Sequence, residues 1–149
     1  MKSIYNADDN QEIIERINKL TPESQAQWGK MNAAQMLSHC QAPMDVAFGN
    51  LNLKANFFMQ LLGKMFKNKI LNSAEFKKDS PTAPAFIRNN ECDFEQSKAD
   101  LINKINRFSE FGEKAIKTTK HPFFGEMKLS EWDRLQSMHL DHHMRQFGV

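Results

Sequence analysis

The chain of 149 residues is poor in the residues that build sheets. Valine occurs only at Val46 and Val149, tyrosine only at Tyr5, and threonine only at Thr21, Thr82, Thr118 and Thr119. That shortage argues against a sheet-rich fold. Cys40 and Cys92 are too few for a disulfide scaffold, and no CxxC pair exists for a metal knuckle or redox loop. Charge of one sign is also lacking: the net charge is +2, which gives no support for a nucleic-acid binder. The apolar stretch from Ala55 to Phe66 is broken by Gln60, Gly63 and Lys64 and is too short to span a bilayer. The opening MKSIYNADDN carries no apolar core for a signal peptide. Motifs for nucleotides, phosphates, flavin or haem are missing, as are a nucleophile elbow and a P-loop. These absences point to one all-α domain over 1–149, cytoplasmic, with no membrane and no nucleic-acid partner.

Five helical segments can be read. The first is predicted to start at Asp8 or Asp9 as cap, with Ile13, Ile14, Ile17 and Leu20 on one face. It breaks at Thr21-Pro22. The second starts at Asn32, which has capping-box spacing with Gln35. Met36, Leu37, Cys40, Met44 and Ala47 follow at helical spacing, and Pro43 kinks that helix or ends its first half. A third helix, from about Leu53 to Ile70, pairs an apolar side (Phe57, Phe58, Leu61, Leu62, Met65, Phe66) with a basic one (Lys54, Lys64, Lys67, Lys69). A connection from Asn72 to Cys92 carries Ser80-Pro81 and Ala83-Pro84. Its length suits a segment that crosses the fold or covers a site. Asp93 caps the fourth helix, with Leu101, Ile105 and Phe108 in register. A second connection contains HPFFG, and Ser130 is predicted to cap the last helix, with Asp133 three residues on. Helices joined by long connections form a bundle with at least one crossover.

Three of the five histidines lie in the last helix. At about 100° per residue, Trp132, Leu135, His139, Leu140, His143 and Phe147 share one side. Asp141 and Arg145 fall on the other, so Asp141 is expected to be solvated. His142 sits at the edge of the apolar face. His139 and His143 stand one turn apart and can converge on one ion. Two neutral imidazoles in an apolar interior need partners. A divalent metal serves both, with a third ligand from elsewhere, for which His39 on the second helix is the best candidate. A hydrogen bond from each ring to a carbonyl or carboxylate is the plainer alternative. Cys40 lies on an apolar stripe and reads as a core residue, Cys92 as a loop thiol, and His121 beside Pro122 as a loop-shaping residue. Trp28 and Trp132 read as core anchors, with pocket lining as the alternative.

The stretch Trp28-Gly-Lys-Met-Asn-Ala-Ala-Gln-Met-Leu-Ser-His39 and the pair in His139-Leu-Asp-His-His143 resemble the DinB/YfiT-like superfamily of metalloenzymes. The run HPFFGEMKLSEWDRLQSMHLDHHMRQFGV is similar to a branch of it catalogued as a domain of unknown function. The resemblance implies an up-down-down-up four-helix bundle with a long crossover and an additional short helix. It implies a homodimer, and a divalent metal, zinc or nickel, held by His39, His139 and His143. It also implies a small-molecule substrate, with thiol-dependent transferases that use low-molecular-weight thiols among the relatives. Hydrolysis by metal-activated water fits the same ligand set. The catalytic base is not identified by sequence; His142, His121 and Asp141 are its candidates. The competing reading is a non-enzymatic bundle that holds a small ligand between its helices. A third reading uses the basic, Phe-rich third helix as a membrane-surface or partner-binding element, although any bundle helix needs the same two faces.

Overall fold

The computed structural model describes residues 2–55, 57–80, 82 and 84–149. Met1, Asn56, Pro81 and Ala83 lie outside the described residues, and with them part of the two proline pairs and of the expected start of the third helix. Among the described residues five α-helices form in chain order: α1 Ala7–Asn18, α2 Ala33–Ala47, α3 Phe57–Leu71, α4 Phe94–Phe111 and α5 Leu129–Gln146. A two-stranded antiparallel hairpin, β1 Lys120–His121 and β2 Gly125–Glu126, precedes α5.

Side-chain bonds between helices fix their directions. Ile4 N–H donates to Asp133 at 2.6 Å, and Arg16 pairs with Asp141 at 2.8 Å, so α1 and α5 run parallel. Gln136 donates to the Pro43 carbonyl while His39 meets His139, so α2 runs against α5. Gln41 donates to the Ser97 carbonyl and Lys104 pairs with Asp45, so α2 and α4 run together. Lys98, early in α4, reaches the Asn18 carbonyl at the end of α1. The four helices therefore form an up-down-down-up bundle. Ile17, Met36, Leu37, Leu101, Ile105, Phe108, Trp132 and Met144 are shut off from solvent in its core.

Parallel α2 and α4 require the chain to travel back along the bundle, and α3 with the connection after it makes that return. Leu71 and Ser73 present carbonyls to Arg134 near the start of α5, and Glu75 then pairs with Arg145 near its end. The segment thus climbs α5 and carries Phe76 to His139 and His142.

Local signals explain the helix ends, with two corrections. The α1 cap is Asn6, whose side chain accepts from Asp9 N–H at 2.9 Å. Asp8 and Asp9 sit instead in the first turn, where their charge favours the helix dipole. At α5 the cap position is Lys128, whose N–H donates to Glu131 at 2.8 Å, and Ser130 is already inside the helix. Asp133 is used to hold Ile4. The capping box of Asn32 and Gln35 forms in full, and Asp93 caps α4 as expected. Pro43 lies inside a continuous α2.

The additional helix expected beside the four is α3. Its apolar side does not enter the core: Phe57 is 81% exposed, and Phe58 and Met65 66% each. The four bundle helices already enclose the core, so α3 lies outside, against the start of α5 and the hairpin. Lys67 holds it there by donating to the Glu126 carbonyl and to Glu131. Gly63 allows the approach, since a Cβ there would lie 2.1 Å from the Phe123 carbonyl oxygen. The face of α5 that projects as polar is covered in turn by α3, α1 and the climbing segment. Asp141 is accordingly ion-paired with Arg16 and Arg145 rather than simply solvated.

This division of labour has a measurable consequence. Phe58→Ser and Met65→Ser should each change unfolding free energy by no more than about 0.5 kcal/mol. Leu101→Ala should cost about 2–5 kcal/mol. Urea denaturation distinguishes the two classes, and comparable losses from all three variants would contradict the exposed placement of α3.

Candidate metal centre

His39 lies two turns into α2, and His139 and His143 lie in the last two turns of α5. Because these helices are antiparallel, the beginning of one faces the end of the other. One ligating atom from each ring lies within 4.8 Å of the other two, and this cluster can hold a divalent metal ion. His39 Nε2 is 3.1 Å from His139 Nε2, and His143 Nε2 is 3.2 Å from the same atom.

The outer nitrogens determine what those inner ones can be. His39 Nδ1 lies 2.8 Å from the Phe86 carbonyl, which can only accept, so Nδ1 carries the proton. His143 Nδ1 lies 2.7 Å from Gln146 Oε1. The Gln146 amide nitrogen donates to the Trp28 carbonyl at 2.7 Å, which fixes the amide's orientation. His143 therefore also carries its proton on Nδ1. Both rings present bare Nε2 lone pairs to His139, which in its neutral form has one proton and can direct it at only one of them. At least one contact is lone pair against lone pair unless a cation lies between.

Protonating the rings is no remedy, because burial opposes it. Burial lowers the pKa of His39 and pushes that of His143 down to about 3, and each also faces other imidazoles. Burial, then His143 and His39, holds His139 well below the ordinary imidazole range. The spacing suits a metal. Zinc–imidazole bonds of about 2.0–2.1 Å put neighbouring tetrahedral ligand atoms about 3.3 Å apart, close to the 3.1 and 3.2 Å of the two contacts to His139, while the spread of up to 4.8 Å over all three atoms would have to tighten around an ion.

Parts of this support leave no mark in the sequence. Phe86 contributes a backbone oxygen from a 3-10 turn, Pro84–Phe86, within the long connection. Any residue offers a carbonyl, so no side-chain signal exists. Gln146 is three residues after His143, a helical-neighbour spacing that could have exposed it. Gly29 has φ +83°, and a Cβ there would lie 2.5 Å from the Gln146 amide nitrogen. His139 has no such brace: its Nδ1 is buried without a hydrogen-bond partner among the described residues, and the ring rests edge-on against Phe76.

The cluster borders a cavity of about 440 Å³ whose wall includes Trp28, Lys30, Phe76, Arg88 and His142. His142 packs on Trp28 and Phe76 but is not among the converging nitrogens. Trp28 therefore lines the cavity, while Trp132 is a core anchor. Cys40 is fully buried beside Met36, and burial pushes its thiol pKa up, so it is a packing residue. Cys92 lies on the connection. His121 shapes its hairpin by accepting from Phe123 N–H and Phe124 N–H, and burial lowers its pKa to about 4.

Among the described residues no helix is long and apolar enough to cross a membrane. The family described as Protein of unknown function (DUF1569) matches residues 3–148 of the chain. No curated protein matches it, and no solved structure does.

The depressed histidines make the metal-free protein acid-sensitive. Their folded pKa values lie below the unfolded 6.5, so the unfolded chain takes up protons first as pH falls. Stability is full above pH 6.5 and is lost on the way down to the folded values. Each such histidine contributes up to about 1.4 kcal/mol per pH unit. Urea denaturation of metal-free protein between pH 6 and 5, where carboxylates stay ionised, should therefore show stability falling by at least that slope. A flat profile would contradict the buried neutral rings.

Proposed function

The chain belongs to the DUF1569 family, part of the DinB-like superfamily, and from that premise we propose that it is a metal-dependent enzyme. His39, His139 and His143 hold one divalent ion, zinc or nickel. The observation that carries this reading is the convergence of bare Nε2 lone pairs in a site where burial keeps the rings neutral. Three protein ligands beside a cavity of about 440 Å³ fit an open catalytic site better than a closed structural one.

The bound ion would lower the pKa of a thiol or water in the open position, supplying a nucleophile at neutral pH. The chain's own residues do the rest. Gln146 and the Phe86 carbonyl hold two rings in the tautomer that leaves Nε2 free. Of the three candidate bases, His142 is the one on the cavity wall. Asp141 is tied to two arginines, and His121 Nδ1 accepts backbone protons within its hairpin. Neither cysteine lines the cavity, so a thiol nucleophile comes with the substrate. The reaction class is transfer to a low-molecular-weight thiol or hydrolysis.

Elemental analysis of untagged protein should find about one zinc or nickel per chain. His139→Ala and His143→Ala should lose it and remain helical by circular dichroism. Gln146→Ala should bind the metal about 10–100-fold more weakly, because the His143 ring loses its orienting acceptor. Unchanged metal content in His143→Ala would refute the reading.

A further inference from the structure

A second cavity, of about 450 Å³, shares His139, Phe76 and Thr82 with the one just described. Its other walls are chemically different. Leu62, Phe66 and Ile70 of α3 face Leu135 of α5 and the Phe123 turn of the hairpin. Polar groups are few, and His121 Nδ1 is already occupied by two backbone N–H groups. A polar occupant would lose its hydrogen bonds to water without replacement, at a cost of about 1–3 kcal/mol per group. An apolar one loses nothing. The inward row of α3 is only half covered, with Leu62 38% and Phe66 45% exposed, so a chain laid along it would bury apolar surface on both partners.

From this continuity we infer that the substrate handled at the histidine cluster carries an apolar chain. The chain lies between α3 and the bundle while the reacting head sits at His139 and its neighbours. This rests on the metal reading above and adds the substrate's class to it. It also gives α3 a purpose that the bundle core does not: the helix is held off the core by Gly63 on the hairpin and Lys67 on α5, and the space it leaves is the chain's site.

The test is calorimetric titration of zinc-loaded protein with straight-chain hydroxamic acids of two to twelve carbons, whose heads bind zinc. Zinc content is measured on the same samples. Affinity should rise about fourfold per methylene until the cavity is full, then level off. In Leu62→Trp the rise should stop at a shorter chain, and in Phe66→Ser each methylene should contribute less. Affinity independent of chain length in zinc-loaded protein would overturn the inference and leave the metal site standing. So would a rise that both variants leave untouched. Protein that takes up no zinc would refute the metal reading. A chain-length dependence found in such protein would overturn the placement of the head at the cluster, and the inference with it.

Discussion

The structure turns on the convergence of three buried imidazoles on one point, a cluster able to hold a divalent cation. Two imidazole nitrogens with their protons committed elsewhere point lone pairs at a third, at 3.1 and 3.2 Å, inside a helical bundle. Burial withholds the protons that would otherwise resolve the repulsion. The surrounding design serves to keep it that way. The Phe86 carbonyl and Gln146 hold protons on the outer nitrogens, the Trp28 carbonyl orients Gln146, and Gly29 leaves room for that amide. Each of these groups acts on the cluster through the tautomer or orientation of a ring rather than by adding a converging nitrogen.

The topology accounts for where the cluster lies. Antiparallel α2 and α5 bring an early residue of one to a late residue of the other. Parallel α2 and α4 force a long return, which climbs α5 and crosses the end where the histidines meet. That return supplies Phe76 against His139 and the Phe86 carbonyl to His39. The crossover demanded by chain direction is thus also the cover of the site. The α3 segment of the same return stays outside the core, and its inner row lines a second, apolar cavity that reaches His139.

Much of this was legible in the sequence, for identifiable reasons. Helical spacing put His139 and His143 on the buried face of α5, and capping residues marked α2 and α4. The long connection announced a cover by its length. Other features were not legible. A periodic apolar face reads alike whether it enters a core or borders a cavity, so spacing alone does not say what the inner row of α3 faces. Asp141 looked solvated because projection sees one helix at a time and cannot see Arg16 arriving from α1. Asn6 lost the prediction of the first cap to its neighbours Asp8 and Asp9, which are equally good cap formers. The brace on His39 is a backbone oxygen, which carries no sequence signal.

In the proposed site three imidazoles, and no thiolate of the chain itself, meet at one ion. Zinc-edge X-ray absorption on the loaded protein tests it most directly. Without substrate, the spectrum should show nitrogen or oxygen neighbours at about 2.0–2.1 Å, with the outer-shell scattering of three imidazole rings. A sulfur neighbour at about 2.3 Å, or fewer than three imidazoles, would contradict it.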